Sequence, residues 1–212
     1  MKNSPGESRF HNSFATVIDI IYIGFLWLLC CLPIVTIGPA SAALYYATVK
    51  SVRRGRGHAG REFFTAFKSG FKNALPLWLV FLLLIALWAT SMYAMNILDP
   101  EGTKLMSGLT AYLILPVLIP LPWVFAYISR FDNTLWDTLK FSVYLSIKNL
   151  GRTVMLLLTA AAFVLLGWLF PALIPLLPGF CCLLMSFQTE PVFKAITAQL
   201  ENDSNEDKWY NE

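Results

Sequence analysis

Along this chain, long apolar runs with no Asp, Glu, Lys or Arg alternate with short charged ones. The uncharged runs are 20–49, 73–98, 105–129 and 153–189. A helix needs roughly 20 mostly apolar residues to cross the ~30 Å hydrocarbon core of a bilayer. Lipid offers the backbone no hydrogen bonds, so such segments must satisfy their own N–H and C=O groups as helices. The pattern predicts an all-α fold, a polytopic transmembrane helical bundle.

Two runs are too long for one straight span. At 1.5 Å per residue, the 37 residues of 153–189 would extend roughly 55 Å. They are expected to fold as a hairpin, with Pro171 near the turn. In the first run, Pro33-Ile34-Val35-Thr36-Ile37-Gly38-Pro39 carries two prolines and a glycine, which break helices. If the helices on both sides of this break cross, the bundle has six spans and a cytoplasmic N-terminus. If the second lies at the interface, there are five. Ala40-Ser41-Ala42 resembles a signal-peptide cleavage site, but the apolar run before it exceeds the usual ~7–15 residues, so a retained first span is expected.

Two further segments have helical amphipathicity. Phe63, Phe64, Phe67 and Phe71 recur on one face of 61–72, opposite Glu62, Lys68 and Lys72. Trp136, Leu139, Val143 and Ile147 form a similar stripe beside Asp137, Lys140 and Lys148. Two amphipathic interfacial helices are expected here. Phe71-Lys72-Asn73-Ala74 and Ile147-Lys148-Asn149-Leu150 end them alike, which suggests a weak internal repeat.

Charge orients the bundle. Segment 50–72 holds seven basic residues and one acid, 130–152 four and two, and 99–104 one and two. Short cytoplasmic loops are rich in Lys and Arg, so 50–72 and 130–152 are expected inside and 99–104 outside, in a multi-pass cell-membrane protein. One membrane domain, 1–198, leaves an acidic, disordered cytoplasmic tail, 199–212. The basic residues flank the apolar runs, which argues for a lipid partner and against nucleic acid.

Composition adds little chemistry. Hydrophobic residues make up 57% of the 212 and charged ones 14%, against roughly 25% charged in soluble domains. No phosphate-binding glycine loop, HExxH, GxSxG or metal-ligand spacing occurs, so neither an enzyme nor a cofactor or metal site is expected. Cys30-Cys31 and Cys181-Cys182 read as packing residues, although spacing leaves a bridge between the pairs open.

Two candidate sites remain. A helix break at membrane depth frees backbone groups that transporters use for ligands. Pro33, Thr36, Gly38, Pro39 and Ser41 form one such break, with Thr36 and Ser41 offering hydroxyls. Asp19 is the carboxylate nearest the first span, and pairing with Arg53 or Arg54 would make an intramembrane charge pair. Trp123 and Trp168 are weaker candidates for sugar stacking.

The stretch Leu29-Cys30-Cys31-Leu32-Pro33-Ile34-Val35-Thr36-Ile37-Gly38-Pro39-Ala40, leading into Ala43-Leu44-Tyr45-Tyr46, resembles the signature of the YesL-like family of bacterial integral membrane proteins. Phe63-Phe64-Thr65-Ala66-Phe67-Lys68, Ser129-Arg130-Phe131-Asp132-Asn133-Thr134 and Ile147-Lys148-Asn149-Leu150 extend the resemblance. Such proteins are typically encoded beside carbohydrate transporter components and two-component sensors. The resemblance therefore implies an accessory or subunit for carbohydrate uptake, partnered by permease subunits or a sensor kinase. An autonomous small-molecule transporter and a membrane regulatory component are the alternatives. The family supplies no catalytic residues to carry over.

Overall fold

The computed structural model describes residues 5–53, 58–98, 118–131 and 134–209, without the side chains of 5–15, 95, 96, 98 and 199–209. Among these residues the fold is entirely helical. Its helices are α1 (Pro5–Cys30), α2 (Ile37–Ala47), α3 (Ala59–Leu98), α4 (Leu121–Ile128), α5 (Leu135–Lys148), α6 (Leu150–Leu169) and α7 (Leu177–Trp209). Among the described residues, two stretches are long and apolar enough to cross a membrane, Ala59–Ala94 and Leu150–Leu169. The first run divides at its prolines into α1 and α2, and the third is described only from residue 118. Arg54, segment 99–104 and residues 105–117 lie outside the described residues.

The expected hairpin in the last run is present: a 3₁₀ turn, Pro171–Leu173, joins α6 to α7. Helix α7 then continues through Trp209, taking in most of the acidic segment expected to be disordered.

The first amphipathic segment is not a separate interfacial helix. Residues 61–72 are early turns of α3, a single helix of 40 residues with Pro76 inside it. Phe63 is fully buried among α1, α2 and α4 side chains, and its ring stacks on Phe67 at 6.3 Å. Packing against α2 holds this half of α3 upright. The contact is antiparallel, with Lys50 meeting Glu62 at one end and Gly38 meeting Trp78 at the other.

The second segment is its own helix, α5, with its apolar stripe on the exposed face and mostly hydroxyl-bearing residues on the buried one. Thr138, Ser142, Leu145 and Ser146 face inward, while Trp136, Val143 and Ile147 are exposed. The helix begins with an N-cap, where the Thr134 side chain accepts a hydrogen bond from the Asp137 N–H. Asn149 interrupts the path to α6, and the Thr153 hydroxyl lies 2.9 Å from the Ser146 carbonyl and 3.0 Å from that of Asn149. At the matching place in α3, Leu77 stands four residues after Asn73, with no hydroxyl to stabilise a break, and the helix runs on. The two copies of the short motif therefore meet different fates.

Small residues let helices approach closely. A Cβ on Gly24 would lie 2.5 Å from the Pro175 carbonyl oxygen, and one on Gly179 would lie 2.6 Å from that of Ile20. Helices α1 and α7 thus touch backbone to backbone. The core beside them gathers Ile23, Tyr45, Trp123, Tyr127, Leu156 and Phe193.

Candidate functional site

The Pro33–Pro39 break closes on itself. The Thr36 hydroxyl sits within hydrogen-bond distance of the Cys30 and Pro33 carbonyls, and the Trp78 indole donates to the Ile34 carbonyl at 2.8 Å. Ser41 donates to the Ile37 carbonyl at 2.7 Å and accepts from the Trp27 indole at 3.2 Å. Gly38 and Pro39 are buried, and a Cβ on Gly38 would lie 2.4 Å from that of Trp78. The freed carbonyls and the hydroxyls offered as ligands are taken up by the turn and by α3.

Asp19 sits half-buried on α1. Arg53 turns to α7 rather than to it, donating to the Ser186 carbonyl at 2.7 Å with its guanidinium 4.7 Å from the Phe187 ring centre. Pro191, inside α7, lacks the N–H that would reach the Phe187 carbonyl, the residue after the one whose carbonyl Arg53 holds.

The structure brings together a different set of charges. Helix α2 widens into π geometry at Thr48–Arg53, and Lys50 there pairs with Glu62 of α3 at 2.7 Å. Lys50 also donates to the Tyr46 hydroxyl at 3.1 Å. These partners, Glu62 foremost, hold the Lys50 ammonium above its usual pKa. Just past α4, Arg130 pairs with Glu190 of α7 at 2.9 Å, with the carboxylate side chain only 2% exposed and the arginine 25%. Tyr45, Tyr46, Lys50, Ser129, Arg130 and Glu190 line one polar cavity of about 260 Å³. Its two cations and the two carboxylates paired with them balance, so these pairs cross-link helices rather than trap an ion.

A larger cavity, about 480 Å³, lies on the other side of Tyr45, between α2, α4 and the α6–α7 hairpin. Tyr45 borders both cavities, and its hydroxyl shares a 2.6 Å hydrogen bond with Thr189. Trp27, Leu44, Phe125, Phe163 and Met185 form much of the apolar wall. Trp123 is fully buried and donates to Thr153 at 3.0 Å, so it has no face for stacking a sugar. Trp168 is 81% exposed. The four cysteines are free thiols, and no three His, Cys, Asp or Glu side chains among the described residues gather as metal ligands would.

Sequence reasoning placed Arg130 and Glu190 in separate segments, 60 positions apart, and did not single out either. A carboxylate closing the last uncharged run and an arginine closing the third were the available signal.

Residues 20–92 match the family model described as "Protein of unknown function, DUF624". The match takes in the Pro33–Pro39 turn, α2, Lys50, Glu62 and most of α3. No curated protein and no solved structure matches the chain.

Proposed function

We propose that this chain is a multi-pass integral membrane protein of YesL-like type, serving as an accessory subunit in a membrane assembly for carbohydrate uptake. One observation carries the membrane reading: large apolar side chains cover the surface, while hydroxyl-bearing residues are buried alongside the apolar core. Large apolar side chains such as Phe25, Leu83, Leu87, Leu158 and Trp168 are exposed, while Thr48, Thr138, Ser142, Ser146, Thr153, Ser186 and Thr189 are buried. Water would punish that arrangement, since exposed apolar patches of this extent mark interaction or lipid surfaces. Lipid suits it, because hydroxyls and small residues pack helices together there.

In this reading the spans number five or six, and segments 50–72 and 130–152 face the cytoplasm. The shared cavity supports that topology. Lys50 and Glu62 from the first segment meet at the same cavity as Arg130, from the start of the second, so the two basic segments lie at one end of the bundle. The family resemblance supports the carbohydrate association. An autonomous saccharide carrier fits less well, because the larger cavity has apolar walls and gives sugar hydroxyls few partners.

Membranes washed with alkaline carbonate should retain the chain. In a background lacking the four native cysteines, a cysteine replacing Gly57 should label only from inside, and one replacing Glu101 only from outside. Reversed labelling would overturn the topology. Affinity purification in mild detergent should recover permease or sensor-kinase subunits. Full permease activity and stability in cells lacking this chain would refute the accessory role.

A further inference from the structure

The cavity behind Tyr45 is built for an apolar occupant. Among the described residues, every nitrogen- or oxygen-bearing side chain that lines it is already hydrogen-bonded: Trp27 to Ser41, Ser41 to the Ile37 carbonyl, Tyr45 to Thr189, and Thr189 to the Met185 carbonyl at 3.1 Å. A buried water needs about 2–4 polar partners, and these walls have little left to offer. At about 480 Å³ the space falls within the roughly 300–1,000 Å³ of ordinary ligand sites. Its lining along α7 runs from Leu177 to Thr189, about 18 Å at helical rise, enough for much of an extended acyl chain.

The opening indicates the source. Val164 and Ile174 line the cavity and are 74% and 41% exposed on the outer surface. Trp168 stands beside them on the same hairpin. The mouth is thus framed by the apolar face that the membrane reading turns to lipid, not by the charged end of the bundle. Free energy of transfer from water plays no part in filling it from a bilayer. What favours entry is dispersion contact that an empty cavity forfeits.

We propose that this cavity binds one acyl tail of a bilayer phospholipid, entering sideways between Val164 and Ile174 and lying against Phe163, Met185 and Leu44. The proposal rests on the membrane reading. Lipid here would brace α2 against the α6–α7 hairpin, so the fit of these elements would depend on the bilayer around them.

The full chain, reconstituted in phosphatidylglycerol–phosphatidylcholine vesicles doped with a phosphatidylcholine carrying a diazirine at one acyl terminus, tests this. After irradiation, peptide mapping should find adducts on Met185 and Leu44 as well as on the outer residues Leu158 and Trp168. In Ala160→Phe, which fills the cavity, the inner adducts should fall by roughly an order of magnitude while the outer ones persist. Adducts confined to the outer residues of the wild-type chain would overturn the proposal, whether or not Ala160→Phe folds. Undiminished inner adducts in a folded Ala160→Phe would overturn it as well. Release of the chain by carbonate would overturn the membrane reading and this proposal together. Retention with outer adducts alone would overturn only this proposal.

Discussion

Replacing Glu190 with glutamine should be among the most destabilising single changes that conserve side-chain size. The carboxylate is 2% exposed and stands 2.9 Å from Arg130 Nη1. At an effective dielectric constant near 20, opposite charges at that separation attract by about 6 kcal/mol. Desolvation offsets much of this, and removing one partner of a fully buried pair costs about 3–5 kcal/mol. Arg130 keeps some contact with solvent and lies 5.7 Å from the Phe193 ring centre, so the stranded cation is partly accommodated. A loss of about 2–3 kcal/mol is expected, discounted for that exposure. For a chain of this size each kcal/mol moves Tm by about 2–4 °C, so Glu190→Gln should melt roughly 5–10 °C lower in mild detergent. Arg130→Met alone should also destabilise. The double variant should recover part of the sum, giving a coupling of about 1–3 kcal/mol. Strict additivity, with Glu190→Gln within about 2 °C of wild type, would refute the argument that this pair links α4 to α7.

Three further outcomes follow from the geometry. Gly179→Ala puts a Cβ 2.6 Å from the Ile20 backbone oxygen and should cost about 1–3 kcal/mol by forcing α1 from α7. Gly151→Ala, with nothing within 4 Å, should be neutral or stabilise by up to ~1 kcal/mol; equal effects in thermal melts would contradict the close-packing account. Trp78→Phe removes the 2.8 Å hydrogen bond to the Ile34 carbonyl and should lower stability by about 1 kcal/mol, measurable as a Tm shift. For Lys50, the folded pKa lies above the usual 10.5, so its contribution is fully present below pH 10.5 and lost as pH rises through the higher folded value. The Tm difference between wild type and Lys50→Met should therefore stay constant up to that range and shrink above it; shrinkage already near neutral pH would contradict the assignment.

The features legible in the sequence were those that depend on one segment at a time. Uncharged length predicted helices, Pro33–Pro39 predicted the α1–α2 break, and Pro171 predicted the hairpin turn. Where two segments had to be weighed against each other, local reading failed. The phenylalanine stripe of 61–72 read as an interfacial helix because nothing in that stretch says that α2 will pack beside it. Once Gly38 admits Trp78 and Lys50 reaches Glu62, the segment becomes the lower half of α3. In α5 the apolar stripe of Trp136, Val143 and Ile147 is the exposed face, where an interfacial helix would carry it. Thr138, Ser142 and Ser146 are inside, the reverse of a helix that lays its apolar face on the core of a water-soluble domain. That arrangement suits apolar surroundings, where an exposed hydrophobic face costs little and buried hydroxyls gain partners between helices.

Of the two partners anticipated for Asp19, Arg53 is engaged elsewhere and Arg54 lies outside the described residues. Asp19 lies next to an apolar run, and the segment returning after the Pro33–Pro39 break ends in Arg53 and Arg54. A guanidinium, however, is held by whichever acceptor the helices bring to it. On α7, shortly before Pro191, the Ser186 carbonyl and the Phe187 ring receive it. Glu190, adjacent to that proline and almost wholly buried, then needs a cation of its own, which α4 delivers as Arg130. Two cations thus converge on one stretch of α7: Arg53 on the Ser186 carbonyl, and Arg130 on Glu190, the most buried charge of the described residues.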